Sequence, residues 1–444
     1  MRTVCIVIFV HCSSFLCLAM EKDSLSSNIS YAGDMITSID TIIIKGNELT
    51  ENDIILRELT FKAGDIITVE QLKYNRERIY SLSLFTSVKL RLETINNRNT
   101  IFIDVKESWY IWPIPFFEIM GNSLNMATYG LNAQYNNFRG RNETLRARAG
   151  FGYDPNFKLS YFCPYLFAEQ KISFSTELSY LRAENISRRD LELYGEKFSN
   201  KVISGNISFV KRFNLFNSAG LLTGYDYIET PRHISGISAS EGRIDRVPNV
   251  QLSYSLDTRD LRQFPDSGLS AGISYLYKGF GINKINYSIL SADYRQYIKL
   301  IGELSAKWRF ASRLSFGNVP FYDHSFLGFS EKVRGHSNEI KEGNYSYIAS
   351  FEIKYPLLSE WDLSIDIPPL PQKLTSCRIG IYPYFFTDAG CVQLKNEALI
   401  SKNFYSGYGI GIIILLLPYN ILRCELAFDE YQHKEFLFGL GFSF

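Results

Sequence analysis

Most of the chain carries a hydrophobic residue at every second position, in segments of about ten residues separated by polar loops. Residues 250–259 show the pattern clearly, and residues 304–313 and 421–429 repeat it. The apolar positions of the first segment are Val250, Leu252, Tyr254 and Leu256. Successive side chains of a strand point to opposite faces. The spacing therefore predicts a series of β-strands, each with one apolar and one polar face, over residues 110–444.

Residues 36–107 follow a different pattern, in which β-branched stretches alternate with helical spacing. The predicted elements are a strand over 36–44, helices beginning at Thr50 and spanning 69–82, and strands over 88–92 and 100–105. Asp53 stands where a capping box on Thr50 usually has Glu. This order predicts a small α+β domain with one sheet face covered by helices.

The alternating region is too long for one soluble two-sheet sandwich, which seldom exceeds about 250 residues. No stretch holds the roughly 18 apolar residues of a membrane-spanning helix, and the nearest one, residues 410–417, stops at Pro418. Aromatic residues make up 15% of the chain. At about 20 residues per strand and loop, the prediction is a transmembrane antiparallel β-barrel of about 16 strands.

Charge and cysteine content narrow the range of functions. The net charge is +1 without a basic block, so no nucleic-acid partner is expected. Arg2 followed by the apolar residues 4–10 predicts a signal peptide over residues 1–19. The four later cysteines form neither a disulfide framework nor a metal-binding spacing. We therefore expect an exported protein with no metal and no cofactor.

The N-terminal domain resembles a POTRA domain, the polypeptide-transport-associated module. The matching segments are residues 44–50, 62–68 and 84–93. The resemblance covers the whole predicted domain, 36–107, and implies a single POTRA domain before the barrel.

Four motifs in the alternating region together resemble the BamA/TamA superfamily of outer-membrane assembly factors, whose barrels are also called bacterial surface antigens. The motif residues are Asp257, Arg259 and Asp260 in the first, Val333, Arg334, Gly335 and His336 in the second, Phe386 and Gly390 in the third, and residues 407–411 in the fourth. The family usually has an aromatic residue where His336 stands, which leaves the packing of the loop tip open. The resemblance implies a barrel of the bacterial surface antigen type over residues 110–444.

The resemblance also implies a site inside the barrel. In this superfamily the loop that carries the second motif folds into the lumen, where its arginine meets acidic groups on the inner wall. Strand parity puts Glu352 on the inner face of one strand and Asp388 on the inner face of the next. We therefore expect Arg334 to contact both carboxylates.

The last segment carries aromatic residues at alternate positions and resembles the C-terminal signal of outer-membrane barrels. Phe442 and Phe444 are the residues assigned to that signal. The superfamily's closing seam, between the first and last strands, is thought to be weak and to open laterally.

One motif is typical of an enzyme. Residues 268–272 match the nucleophile elbow of α/β-hydrolases, with Ser270 at the nucleophile position. That elbow needs a helix after the serine, whereas residues 270–280 alternate like a strand. We therefore expect no enzymatic activity.

The resemblance implies an assembly factor in the bacterial outer membrane, with its POTRA domain in the periplasm. Its expected partners are unfolded outer-membrane clients and the lipid bilayer, together with periplasmic chaperones and accessory lipoproteins. The alternative is a polypeptide secretion pore of the same superfamily; such relatives usually carry two POTRA domains, and one is predicted here. A passive porin is a further alternative, but it has no need of the soluble domain.

Overall fold

The structure is a computed structural model that describes residues 37–119, 126–185, 187–233, 237–328, 331–337, 339–400 and 403–441. The predicted signal peptide and the terminal pair Phe442 and Phe444 lie outside the described residues.

The N-terminal part is an α+β domain, as the sequence predicts. Its elements are β1 (Thr37–Ser38), β2 (Thr41–Lys45), α1 (Asn52–Leu56), β3 (Ile66–Ile67), α2 (Val69–Tyr80), β4 (Phe85–Ile95) and β5 (Arg98–Glu107). The main sheet has the order β2-β5-β4, with β2 parallel and β4 antiparallel to β5. The predicted continuous first strand is wrong in one respect, because it breaks between β1 and β2.

The two helices differ in how they begin. Thr68 and Gln71 form a capping box at the start of α2. For α1 the predicted cap is wrong: Glu51 is the N-cap residue and makes no side-chain cap. The Thr50 hydroxyl instead donates to Glu107 Oε1 over 2.7 Å, which ties the loop before α1 to the end of β5.

The alternating region forms a closed barrel of seventeen strands within the described residues. The first nine are β6 (Ile111–Ile119), β7 (Ala127–Phe138), β8 (Glu143–Gly152), β9 (Asn156–Phe167), β10 (Ile172–Glu184), β11 (Ser199–Arg212), β12 (Asn217–Glu229), β13 (Ile244–Asp257) and β14 (Gly268–Lys278). The other eight are β15 (Tyr287–Lys299), β16 (Ser305–Gly317), β19 (Tyr345–Lys354), β20 (Leu358–Ser364), β21 (Ser376–Gln393), β22 (Tyr405–Leu417), β23 (Asn420–Asp429) and β24 (Lys434–Leu440). β24 lies beside β6 and closes the circuit.

The strand count agrees with the predicted size of the barrel. β19 and β20 both pair with β21, β19 along its C-terminal part and β20 along its first residues. They therefore follow one another along one edge of β21. The seventeen strands fill sixteen positions around the wall.

Smaller elements lie in the loops. They are α3 (Arg188–Tyr194), α4 (Gln372–Thr375), and the two-stranded ribbon of β17 (Ser325–Leu327) with β18 (Lys341–Gly343). The ribbon belongs to the long loop between β16 and β19. Among the described residues no helix is long and apolar enough to cross a membrane.

The N-terminal domain packs directly on one end of the barrel, called here the domain end. The Tyr80 hydroxyl at the end of α2 donates to the Leu417 carbonyl oxygen over 3.1 Å. The fully buried Arg378 of β21 pairs with Glu77 of α2 at 2.7 Å, and its guanidinium carbon lies 3.8 Å from the Tyr80 ring centre. Hydrophobic residues of both parts form one continuous core. This packing fixes the orientation of the domain on the barrel.

Candidate functional site

The long loop between β16 and β19 brings the predicted motif against the inner wall of the barrel. Arg334 donates from Nε to Asp388 Oδ2 over 2.6 Å and from Nη2 to Asp388 Oδ1 over 2.7 Å. Its Nη1 donates to Glu352 Oε1 over 2.8 Å. The same Nη1 reaches Glu425 Oε1, 2.9 Å away on β23. The structure thus brings together the three residues that the sequence selects and adds a third carboxylate.

The cluster is closed to solvent. The Arg334 side chain is 8% exposed, and the side chains of Glu352 and Asp388 are each 2% exposed. A planar guanidinium suits this site because its donors can bind one carboxylate bidentately and still reach two others.

Two further cations form ion pairs with two of the three carboxylates. Lys307 Nζ lies 2.8 Å from Glu352 Oε2, and Arg423 Nη1 lies 3.3 Å from Glu425 Oε1. Tyr384 also donates to Glu425. Asp388 has no second cation in the described ion pairs, so its charge depends on Arg334 alone.

An aromatic ring and two glycines of the barrel wall make room for the loop. The Arg334 guanidinium carbon lies 3.8 Å from the ring centre of the fully buried Phe386. A Cβ atom at Gly390 would stand 2.6 Å from a Val333 methyl group, and one at Gly407 would stand 1.8 Å from the Arg334 carbonyl oxygen. These glycines are therefore positions where the backbone of the wall must leave room for the loop.

His336 makes polar contacts where the family usually has an aromatic residue. Its Nε2 lies 2.6 Å from Glu430 Oε2, and its Nδ1 lies 3.4 Å from Glu339 Oε1. Its ring meets the edge of Tyr405, with ring centres 5.3 Å apart. Burial is the largest effect and lowers the pKa of His336, but the hydrogen bonds and charges of Glu430 and Glu339 together outweigh it, so the pKa is raised overall. The loop tip is thus held by polar contacts as well as by packing.

The loop is also bonded to the last strand of the barrel. Glu435 of β24 accepts hydrogen bonds from the backbone amides of Gly335, at 2.9 Å, and Ser337, at 3.3 Å. Gly335 has a φ of +101°, a left-handed backbone conformation that only glycine adopts readily. The loop therefore connects β21 with the strand at the seam.

The first motif lies elsewhere, at the domain end. Arg259 Nε donates to Asp257 Oδ1 over 2.8 Å. Asp260 accepts the backbone amides of Leu261 and Asp266, which shapes the turn between β13 and β14. That turn touches the N-terminal domain, since residue 262 donates its amide to Ser81. These residues position the domain and take no part in the lumen cluster.

Sequence reasoning missed three carboxylates of the site: Glu425, Glu430 and Glu435. Glu425 carried a usable signal, because it lies on the polar face of the alternating segment 421–429. Glu430 follows β23, where no periodic feature marks it. Glu435 shares the inward parity of residues 437 and 439 on β24, but parity does not show that it meets the loop.

The hydrolase-like motif lies in a strand of the barrel wall. Ser270 lies within β14, paired with Asp257 and Arg295 of the neighbouring strands, and β14 runs on to Lys278 where an elbow requires a helix. Within the described residues, no group of three or more His, Cys, Asp and Glu side chains could hold a metal ion. The cysteines at 163, 377, 391 and 424 are free.

Comparison with known proteins agrees with this architecture. Residues 137–444 match the Omp85 superfamily domain, and residues 37–108 match the POTRA family described as a surface antigen variable number repeat. No curated protein matches the chain significantly.

Similar solved structures share the fold at low sequence identity. One is BamA from Haemophilus ducreyi lacking POTRA domains 1–3, with 18% identity, a TM-score of 0.52, and coverage of 91% of this chain and 83% of that one. CdiB from Acinetobacter baumannii has 15% identity, a TM-score of 0.50, and coverage of 91% and 73%. CdiB from Escherichia coli has 10% identity, a TM-score of 0.54, and coverage of 91% and 75%. With a family model matching more than half of its residues, this chain belongs to the Omp85 superfamily.

Proposed function

We propose that this protein folds and inserts β-barrel clients into the bacterial outer membrane, with its POTRA domain in the periplasm. In this scheme the POTRA sheet holds an extended client segment, and the seam between β6 and β24 opens sideways to pair with it. The observation that carries the proposal is the placement of two prolines at that seam.

The direction of the β6 backbone groups follows from one hydrogen bond. The amide of Asn136 donates to the Tyr110 carbonyl oxygen over 2.8 Å, in register with the β6–β7 ladder. In an antiparallel pair, alternate residues direct both their N–H and C=O groups to the same neighbour. The even-numbered residues of β6 therefore bond to β7, and the odd-numbered ones face β24.

Pro113 and Pro115 are both odd-numbered, so the two missing amides are on the seam side. Among the described barrel strands, β6 alone carries two prolines. A typical hydrogen bond contributes about 0.5–1.5 kcal/mol to stability, so two absent donors weaken the seam by about 1–3 kcal/mol. The carbonyl groups of Pro113 and Pro115 point to the same side and remain as acceptors at the seam.

An incoming strand gains from such a template. An unpaired backbone group in lipid costs several kcal/mol, so a client must enter with its hydrogen bonds already made. A strand edge that lacks backbone donors still has carbonyl acceptors. The backbone amides of a client strand can donate to these carbonyl groups before the client enters the lipid. The prolines make the seam the point where the barrel most readily accepts a strand.

The N-terminal domain offers a second strand edge. β2 pairs with β5 on one side, and no described strand pairs with its other side. An extended client segment can add to such an edge through backbone hydrogen bonds, which are independent of the client's side chains.

The second candidate function is a polypeptide secretion pore. A cavity of about 1220 Å³ inside the barrel favours it, lined by polar and charged side chains such as Arg148, Lys158 and Arg309. Against it, the N-terminal domain packs on one end of the barrel and the Arg334 loop occupies part of the lumen.

The discriminating experiment restores the missing donors. The double variant Pro113→Val and Pro115→Val is reconstituted into liposomes and assayed for client insertion and for single-channel conductance. The matched control is Pro248→Val in β13, away from the seam. We expect slower client insertion in the double variant, unchanged insertion in the control, and no polypeptide-sized conductance in either. Unchanged insertion in the double variant contradicts the seam mechanism, and client passage through the lumen favours the pore.

A further inference from the structure

A charged cavity lies between the N-terminal domain and the barrel, separate from the lumen site. It has a volume of about 510 Å³ and is bounded by α1 and by the turns β7–β8, β9–β10 and β11–β12. Its charged lining residues are Glu51, Asp53, Arg57, Arg141, Lys171 and Arg212. Pockets that hold small ligands commonly measure about 300–1000 Å³, so the cavity can hold a lipid headgroup.

Two guanidinium groups converge on one tyrosine in this cavity. The Arg57 guanidinium carbon lies 3.8 Å from the Tyr165 ring centre, and Arg212 Nη1 donates to the Tyr165 hydroxyl over 3.0 Å. Glu58 neutralises Arg212 through hydrogen bonds of 2.7 and 3.1 Å. Among the residues that the structure describes, Arg57 forms no ion pair with a carboxylate, and its buried Nε has no hydrogen-bond partner.

The environment of Arg57 suits an incoming anion. Burial has the largest effect on the pKa of Arg57 and lowers it; Tyr165, Glu58 and Asp53 act against this, and the neighbouring Arg212 adds to it. A cation that has lost part of its hydration next to another cation is stabilised when a negative group binds between them. Phosphate oxygens match the donor fork of a guanidinium.

Charged side chains of both signs that form no ion pair line the same cavity. Within the described part of the chain, Lys171 Nζ has no carboxylate within ion-pair distance, and the carboxylates of Glu51 and Asp53 have no cation within that distance. Among the described residues, the lining therefore offers two cations that form no ion pair, Arg57 and Lys171, and two carboxylates that form none, Glu51 and Asp53. A ligand with both a phosphate and an ammonium group is complementary to such a lining.

The cavity lies where the barrel surface becomes apolar. Phe167 ends β9 beside it and is half-exposed, and Phe213 follows β11 and is more than half-exposed. Aromatic residues of membrane proteins concentrate at the level of the lipid headgroups. With the N-terminal domain in the periplasm, as proposed above, this rim faces the periplasmic leaflet.

We propose that this cavity binds the phosphoethanolamine headgroup of a phospholipid in the periplasmic leaflet, with its phosphate on Arg57 and Lys171 and its ammonium group on Glu51 and Asp53. The bound lipid fills the gap between α1 and the barrel turns and so joins the POTRA domain to the membrane surface.

The test measures lipid binding to the detergent-solubilised full chain by native mass spectrometry. Short-chain phosphatidylethanolamine, phosphatidylglycerol and phosphatidylcholine are titrated separately, and inorganic phosphate is added as a competitor. The variants are Arg57→Gln, Lys171→Gln and Asp53→Asn, and the matched control is Arg139→Gln, an exposed arginine of the β7–β8 turn that does not itself line the cavity. Heat-dependent gel mobility checks that every variant is folded.

We expect phosphatidylethanolamine to bind most tightly, with at least about tenfold weaker binding in Arg57→Gln and Lys171→Gln and no change in Arg139→Gln. Asp53→Asn should remove the preference over phosphatidylglycerol. Equal binding by Arg57→Gln and the unaltered protein overturns the site, as does an equal loss in the control. A preference for phosphatidylglycerol overturns the assignment of a zwitterionic headgroup. If inorganic phosphate at equal concentration displaces every lipid, the site binds free phosphate and the assignment to a lipid is overturned. Because no client is present, these outcomes are independent of the insertion assay.

Discussion

Replacing Arg334 with alanine tests the lumen cluster most directly. The change removes the only cation that pairs with Asp388 among the described contacts, and it leaves that carboxylate in a site that is almost fully buried. Glu352 and Glu425 keep Lys307 and Arg423 as partners. The damage should therefore concentrate on Asp388.

The magnitude follows from burial and from the number of hydrogen bonds lost. Removing one member of a buried ion pair typically costs about 3–5 kcal/mol, because the partner is left desolvated and unpaired. Solvent that reaches the vacated space reduces this cost. The barrel should still form, because its strand pairing is independent of the loop, whereas the loop should detach from the wall. Arg334→Lys should rescue poorly, since an ammonium group cannot bind Asp388 bidentately and still reach Glu352.

A double-mutant cycle separates the contributions of the three carboxylates. Protease sensitivity of the loop and client insertion are measured for Arg334→Ala combined in turn with Asp388→Ala, Glu352→Ala and Glu425→Ala. Contacting residues show coupling of about 0.5–3 kcal/mol, and we expect the Asp388 cycle near the upper end and the other two below it. Additive losses for Arg334 and Asp388 would refute the idea that this pair anchors the loop.

Three further predictions follow from the same geometry. The folded protein should migrate faster on SDS gels unboiled than boiled, because a closed barrel keeps its backbone hydrogen bonds inside; equal mobility would contradict the barrel. Gly407→Ala should displace the loop and raise its protease sensitivity, because the new Cβ atom would stand 1.8 Å from the Arg334 carbonyl oxygen, while Gly272→Ala, with its nearest neighbour at 4.0 Å, should be silent. His336 should anchor the loop fully below its ordinary pKa of about 6.5 and progressively less as pH rises through its raised pKa in the folded protein; a protease-sensitivity profile of His336→Phe that keeps the same pH dependence would refute this.

Much of the lumen site could be predicted from residue types and parity. Alternation along residues 345–353 assigned Glu352 to the inner face, and the same argument placed Asp388 inward. The POTRA elements were also predictable, because α2 has helical spacing and a capping box that stand in the sequence. The predicted cap of α1 failed because the Thr50 hydroxyl bonds to Glu107, 57 residues away, which local spacing cannot reveal.

The sequence by itself determined which residues share a face of each strand and where helical spacing gives way to alternation, because these depend on local periodicity. Only the tertiary structure decided which inward groups meet. Glu425 and Glu435 reach the loop because β22, β23 and β24 follow β21 in order around the curved wall, which brings their inner sides toward the loop between β16 and β19. The position of that loop in the lumen is a long-range arrangement. The sequence shows that Pro113 and Pro115 each lack a backbone donor. Only the register of β6 with β7 shows that both missing donors are on the side of β24.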